Sequence, residues 1–200
     1  MAQIVETFPP PILDPNRWTG AVSGAGVYAV GAPSDGLWPS GLVADGDGVF
    51  ISSSSKIVVP SSRDFDVQMM YDDLDAPIVG LAQVVSLGWR SDAVDGAGDP
   101  LHGMDVMITT RPGPLHKFER RFYSYGAENW SPIMTDPNGG ANAGLMLKRA
   151  GSIFTMYRYE TSTSSWVLIE TITAPSLVSG FLYILNFATD AAAPFFPWIY

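Results

Sequence analysis

From Val49 onward, apolar and polar residues alternate with period two over long stretches, the pattern of extended strands that bury one face. In residues 64–71, Phe65, Val67, Met69 and Tyr71 fall on one side, and Asp64, Asp66 and Gln68 fall on the other. The same alternation sets Val85, Leu87 and Trp89 against Ser86 and Arg90, and Met104, Val106 and Ile108 against Asp105 and Thr109. Further strands are predicted at 118–125, 144–149, 152–159, 166–172 and 181–187. Turn-forming clusters separate them, such as Asp136, Pro137, Asn138, Gly139 and Gly140, or the Ser/Thr run 161–165, because these residues tolerate or stabilise tight backbone bends. No stretch of helical length carries the roughly 3.6-residue period of an amphipathic helix. About nine to twelve strands are too many for one flat sheet, so two sheets packed about 10 Å apart are expected.

The first residues read differently. Pro9, Pro10, Pro11 and Pro15 remove the amide donors that a sheet ladder needs, so residues 1–20 are expected to form an extended arm and 21–200 the sandwich domain. Residues 20–48, rich in Gly, Ala, Ser and Asp, read as loops with one or two short strands anchored by Tyr28, Leu37 and Trp38. The apolar stretch 181–200 is interrupted by Asn186, Asp190, Pro194 and Pro197, which suits core strands and opposes a membrane span. Trp18, Trp38, Trp166 and Trp198 are assigned to packing.

Composition then narrows the function classes. With 200 residues, 46% hydrophobic and 16% charged, the chain is long and apolar enough for one domain with a sizeable core. Eleven Lys and Arg against 20 Asp and Glu give a net charge of -9, which opposes nucleic acid as a partner, since phosphate binding depends on clustered cations. The absence of cysteine excludes disulfides, thiolate catalysis and Cys-ligated metals. The start Met1, Ala2, Gln3, Ile4, Val5, Glu6 has no basic and apolar signal-peptide pattern, so assembly in a cytoplasm is expected.

Four later segments carry a family resemblance: Leu145 to Arg149 ending in a basic pair, Ile153 to Tyr157, Trp166 with its following apolar run, and Gly180 leading Phe181 to Ile184. Together with Gly48 to Ile51, residues 64–67 and Val79 to Leu81, they resemble concanavalin A-like lectin/glucanase domains over residues 45–190. The resemblance implies an all-β, two-sheet antiparallel jelly-roll sandwich with an extended N-terminal arm. Retaining glucanases of that superfamily carry Glu-x-Asp-x-x-Glu on one strand, and this chain has no such motif. Its glutamates are Glu6, Glu119, Glu128, Glu160 and Glu170, and a glycosidase needs an acid and a nucleophile or base about 5–9.5 Å apart. The resemblance therefore implies binding more than hydrolysis.

Several residue sets could carry chemistry. Acidic clusters at Asp45 and Asp47, at Asp72, Asp73 and Asp75, and at Asp92, Asp95 and Asp99 supply oxygen ligands of the kind calcium takes. Asp92 and Asp95, just after a strand, are the calcium candidates, and turn aspartates bonding their own backbone are the plainer reading. Ser23, within Gly20 to Gly24, misses a nucleophile elbow by one position, and His102 and His116 lie in no catalytic constellation. The aromatic and polar set is richer. With Phe118 and Phe122 facing the core, Glu119, Arg121, Tyr123 and Tyr125 take the other face, joined by Arg90, Asp105, Thr109, Lys148 and Arg158 at the same parity and by Glu128, Asn129 and Trp130 in the following loop. Aromatic rings against sugar faces and planar polar groups at sugar hydroxyls are the chemistry of a glycan groove. The candidate carbohydrate residues are Arg90, Asp105, Arg121, Tyr123, Tyr125, Asn129, Trp130 and Arg158. Such residues also serve cross-strand pairing and protein interfaces.

Three functions follow as expectations. The first is a non-enzymatic carbohydrate-binding sandwich that displays a surface for a glycan or cell-surface polysaccharide on a bacteriophage virion. The second is a purely structural head or tail protein that docks on other virion proteins, or on copies of itself, through its arm or its apolar end, residues 194–200. The third is a glycoside hydrolase using Asp105 with Glu119.

Overall fold

A computed structural model describes residues 18–30, 37–40, 46–53, 64–70, 81–94, 96, 101–110, 116–124, 127–136, 142–173 and 179–190. Thirteen strands and no helix occur among these residues: β1 (Trp18–Ser23), β2 (Val27–Val30), β3 (Leu37–Ser40), β4 (Gly48–Ser53), β5 (Phe65–Met70), β6 (Leu81–Ser91), β7 (His102–Thr110), β8 (His116–Ser124), β9 (Ala127–Asp136), β10 (Asn142–Ala150), β11 (Ile153–Glu160), β12 (Ser165–Thr173) and β13 (Gly180–Asp190). One sheet has seven strands in the order β1-β4-β13-β6-β7-β8-β9, a second has four in the order β12-β11-β10-β5, and β2 pairs with β3 alone. All pairings are antiparallel. The chain passes between the two larger sheets after β4, β5, β9 and β12, and this interleaving makes the architecture an all-β, two-sheet antiparallel jelly-roll sandwich.

Alternation explains the core. Phe65, Val67 and Met69 of β5 point inward while Asp66, Gln68 and Met70 point outward. Val85, Leu87, Trp89, Met104 and Val106 of the large sheet meet Leu145, Leu147, Phe154 and Met156 of the small one in a single buried cluster. Phe154 joins the layers, with ring centroids 6.2 Å from Phe65 and 5.7 Å from Trp89. At the other end of the register, β12 takes up an extra residue: Met156 faces Glu170 while Tyr157 faces Leu168. The bulge turns Ile169 as well as Ile172 onto the core.

Two expectations change here. β1 begins at Trp18, inside the span read as arm; residues 1–17 lie outside the described set, as do 194–200. β9 occupies residues read as a loop. It is an edge strand, and Pro132 sits where the ladder shifts register between Phe118 and Glu119, the setting in which a strand tolerates proline. The short turn Thr161 to Ser164 forms as read, closed by the Ser164 amide donating to the Thr161 carbonyl at 3.3 Å, with Ser164 at φ 49°.

Candidate functional site

The seven-stranded sheet has two parities. Leu87, Trp89, Met104 and Val106 take the core side, and register carries that parity to Phe118 and Phe122 of β8. The opposite parity forms cross-strand rows. One reads Tyr183, Gly88, Asp105, Arg121 and Trp130 across five strands, and its neighbour reads Phe181, Arg90, Gly103, Tyr123 and Glu128. Adjacent strands lie about 4.8 Å apart, so Asp105, Arg121 and Trp130 span roughly 10 Å. Gly88 pairs with Asp105 and Gly103 with Arg90, and both glycines are buried.

The expected glycan residues separate into four groups. Asp105, Arg121, Tyr123 and Trp130 share this parity on β7, β8 and β9. Arg90 shares it too, but only 4% of it is exposed. Its strand is central in the sheet, and every residue from Val84 through Ser91 is buried, so Arg90 is not the open polar group the alternation implied. Asn129 faces Phe122 and therefore takes the core parity, opposite to Trp130. Arg158 stands on the other sheet, where it faces Leu145 on the inner side and lies 4.0 Å from Glu160; an arginine near a strand end reaches outward with its tip while its stem stays inside. Lys148 also belongs to the small sheet, on its outer side. Tyr125 lies outside the described residues.

The remaining candidates are held by local structure. The Ser23 hydroxyl donates to the Gly46 carbonyl at 2.7 Å, and buried Asp47 accepts the Ala25 amide at 2.7 Å. These bonds fasten the turn after β1, where Gly24 has φ +58° and a Cβ would collide with the Asp47 carboxylate. Asp92 is exposed and its amide donates to the Ser179 carbonyl at 3.0 Å; Asp95 lies outside the described residues. Among the described residues no three His, Asp or Glu side chains converge as metal ligands would. At the start of β7, the buried His102 donates its amide to the Ser91 hydroxyl at 3.1 Å, and that hydroxyl donates to the Ala93 carbonyl at 2.7 Å. Burial pushes the His102 imidazole below its ordinary value.

One charged group escaped the sequence reading altogether. Arg149 is 1% exposed and inserts between the sheets, with its guanidinium 5.1 Å from the Phe65 ring and 5.7 Å from that of Trp89. Burial lowers its pKa and the nearby Asp64 charge opposes that shift. The signal was present in its parity, which it shares with Leu145 and Leu147.

No family model matches the sequence, and no curated protein resembles it closely. Among solved structures, the chain is similar to the CBM2 module of Lactobacillus casei BL23 phage J-1 evolved Dit, at 11% identity and TM-score 0.49, over 77% of this chain and 69% of that one. It is also similar to a glycoside hydrolase family 16 endo-glucanase from Bacteroides ovatus, at 10% identity and TM-score 0.47, over 91% and 86% of the two chains. A Bacillus licheniformis beta-glucanase matches at 13% identity and TM-score 0.39, over 90% and 83%. At these values the functional reading rests on the chain's own residues.

Proposed function

We propose that the chain is a carbohydrate-binding sandwich whose ligand lies along the row Asp105, Arg121 and Trp130, with Tyr123 beside it. The observation that supports this is the register, which lines up an acid, a guanidinium and an indole on three successive strands of one sheet face. Stacking on an aromatic ring and charge-assisted hydrogen bonds to hydroxyls are the two interactions that a sugar offers. Arg90 is only 4% exposed, so this reading assigns the ligand to the row on β7, β8 and β9 and leaves Arg90 out. Binding proceeds without hydrolysis in this reading, although Asp105 and Glu119 stand diagonally across β7 and β8. A cysteine-free sandwich also suits display on a bacteriophage particle, which is assembled in a reducing cytoplasm.

Glycan-array binding followed by titration tests this. Trp130→Ala and Tyr123→Ala should each weaken binding while leaving the strand signature in circular dichroism, and undiminished binding in both variants removes the row as the site. Release of reducing ends from any bound polysaccharide would replace binding by hydrolysis.

A further inference from the structure

The outer face of the four-stranded sheet carries a second aromatic arrangement. Register puts Met70 against Gly144, Gly144 against Tyr159 and Tyr159 against Trp166, one row across four strands. The next row reads Gln68, Met146, Tyr157 and Leu168. Gly144 lets the first row close: a Cβ there would stand 2.8 Å from the Met70 sulfur, 2.9 Å from the Met69 carbonyl oxygen and 3.1 Å from Trp166 Cη2. The indole of Trp166 thus reaches from edge strand β12 over β11 to β10, about two strand spacings or 10 Å. Its long axis therefore runs across the strands, and Tyr159 meets it in a T-shaped contact, with ring centroids 5.2 Å apart and planes at 70°. Met70 and Leu168, at opposite margins, are 57% and 55% exposed, so the two rows carry apolar side chains open to solvent at both ends.

Charge narrows the partner. Asp66 and Lys148, in the adjoining row, pair at 2.8 Å, and the Lys148 ammonium also sits 5.5 Å from the Tyr157 ring centroid. Their charges cancel at the rim. A second copy of the chain would bring its own net charge of -9 toward a face that offers no excess of positive charge, and an acidic polysaccharide would meet the same repulsion.

We infer that this outer face is a second carbohydrate platform, which takes a neutral polysaccharide laid across Trp166 between Met70 and Leu168. The inference rests on the reading that the ligand is a glycan, but it uses none of the residues of the first row. An indole reaching across the sheet, flanked by thioether and aliphatic groups, offers the apolar, polarizable surface that the C–H face of a sugar ring covers. The row crosses four strands, roughly 14 Å, which favours an extended chain over a chain end.

Affinity electrophoresis of the full chain through gels containing a soluble neutral glucan, mannan or xylan tests it. Leu168→Glu and Met70→Glu change exposed side chains, so the fold is retained, and each should weaken retardation by about tenfold in affinity or more, equivalent to one strong contact. Trp166→Ala should do the same. Unchanged retardation in both glutamate variants, with strand content intact, overturns the platform. If Trp130→Ala abolishes all retardation while the platform variants behave as wild type, the first row stands and the platform falls; the converse keeps the platform and removes the row. A wild-type chain that sediments as a dimer and becomes monomeric on Leu168→Glu would place a second copy on this face and overturn the glycan assignment. Wild-type migration unaffected by all three polysaccharides overturns both sites.

Discussion

Gly180→Ala should loosen the seven-stranded sheet at its centre. Gly180 opens β13 and faces Ser91 of β6. A Cβ at this position would run into the Arg90 carbonyl oxygen and would stand 2.6 Å from Trp89 Nε1 and 2.7 Å from Trp89 Cε2. Neither neighbour can turn aside. The carbonyl belongs to a paired strand, and the indole is buried in the core between Phe154 and the rest of β6. Relief therefore requires the start of β13 to move off β6. Overpacking of this kind costs about 1–3 kcal/mol, and weakening one or two ladder hydrogen bonds adds about 1 kcal/mol each. The smaller conformational freedom of alanine in the unfolded chain offsets about 0.4–1 kcal/mol. The net loss is about 2–4 kcal/mol, which for a domain of this size lowers the melting temperature by roughly 5–15 °C. Calorimetry or circular dichroism melts of Gly180→Ala beside Gly96→Ala measure it, because among the described residues no atom lies within 4 Å of a Cβ built at Gly96. If the two variants melt together, the close approach of β13 to β6 does not govern stability and the reasoning is wrong.

Leu147→Ala, at a fully buried position joining both sheets, should cost about 2–5 kcal/mol, read as a fall in the urea midpoint; a loss under about 1 kcal/mol would contradict its place in the core. Asp66→Asn should cost at most about 1 kcal/mol, because the pair with Lys148 is more than one-third exposed at both ends. The hydrogen bond from Lys148 to Asp66 raises the lysine pKa against the opposing effect of burial, so the pair's contribution is present at neutral pH and is lost as pH rises past the raised value, above the ordinary 10.5. A stability difference between wild type and Asp66→Asn that persists unchanged in that alkaline range would contradict the assignment. For His102 the sign is reversed. Burial depresses its pKa, so its contribution is complete above the ordinary value of 6.5 and is lost as pH falls below that value through the depressed one. His102→Gln should flatten the melting temperature against pH in that interval, and an unaltered slope would show that another group titrates there.

The strands that could be read from sequence are those with clean alternation and one wet face. β5 is the clearest, because its outward Asp66 and Gln68 mark the parity that buries Phe65, Val67 and Met69. β9 hid behind Pro132 and a mixture of Glu, Asn and Ser, since an edge strand needs neither a continuous ladder nor a regular apolar face. Arg149 was hidden by its own charge: parity placed it inside, but its ring partners come from β5 and β6, far away in sequence. The same holds for Arg90, whose burial follows from the central position of β6 and not from any local pattern. Tyr123, Arg121 and Asp105 could be placed on one face because a single alternating register joins β7 and β8. Arg158 could not, because sequence alone does not say which strand joins which sheet. Trp166 was read as packing, and the glycine two strands away shows how far its ring reaches across the sheet.

The order of the large sheet has a consequence for how the molecule is made. β13, the last described strand in the chain, is inserted between β4 and β6, so a growing polypeptide on the ribosome holds two unfinished half-sheets until residues 180–190 emerge. Closure then joins β13 to β4 across well over a hundred residues and to β6 across about a hundred, a slow kind of step in folding because long loops must be fixed before their contacts form. Translation stalled upstream of Gly180 would leave both half-sheets with naked ladder edges facing the missing strand, an invitation to aggregation. Pulse-labelled nascent chains should gain protease resistance only after this final segment has cleared the exit tunnel.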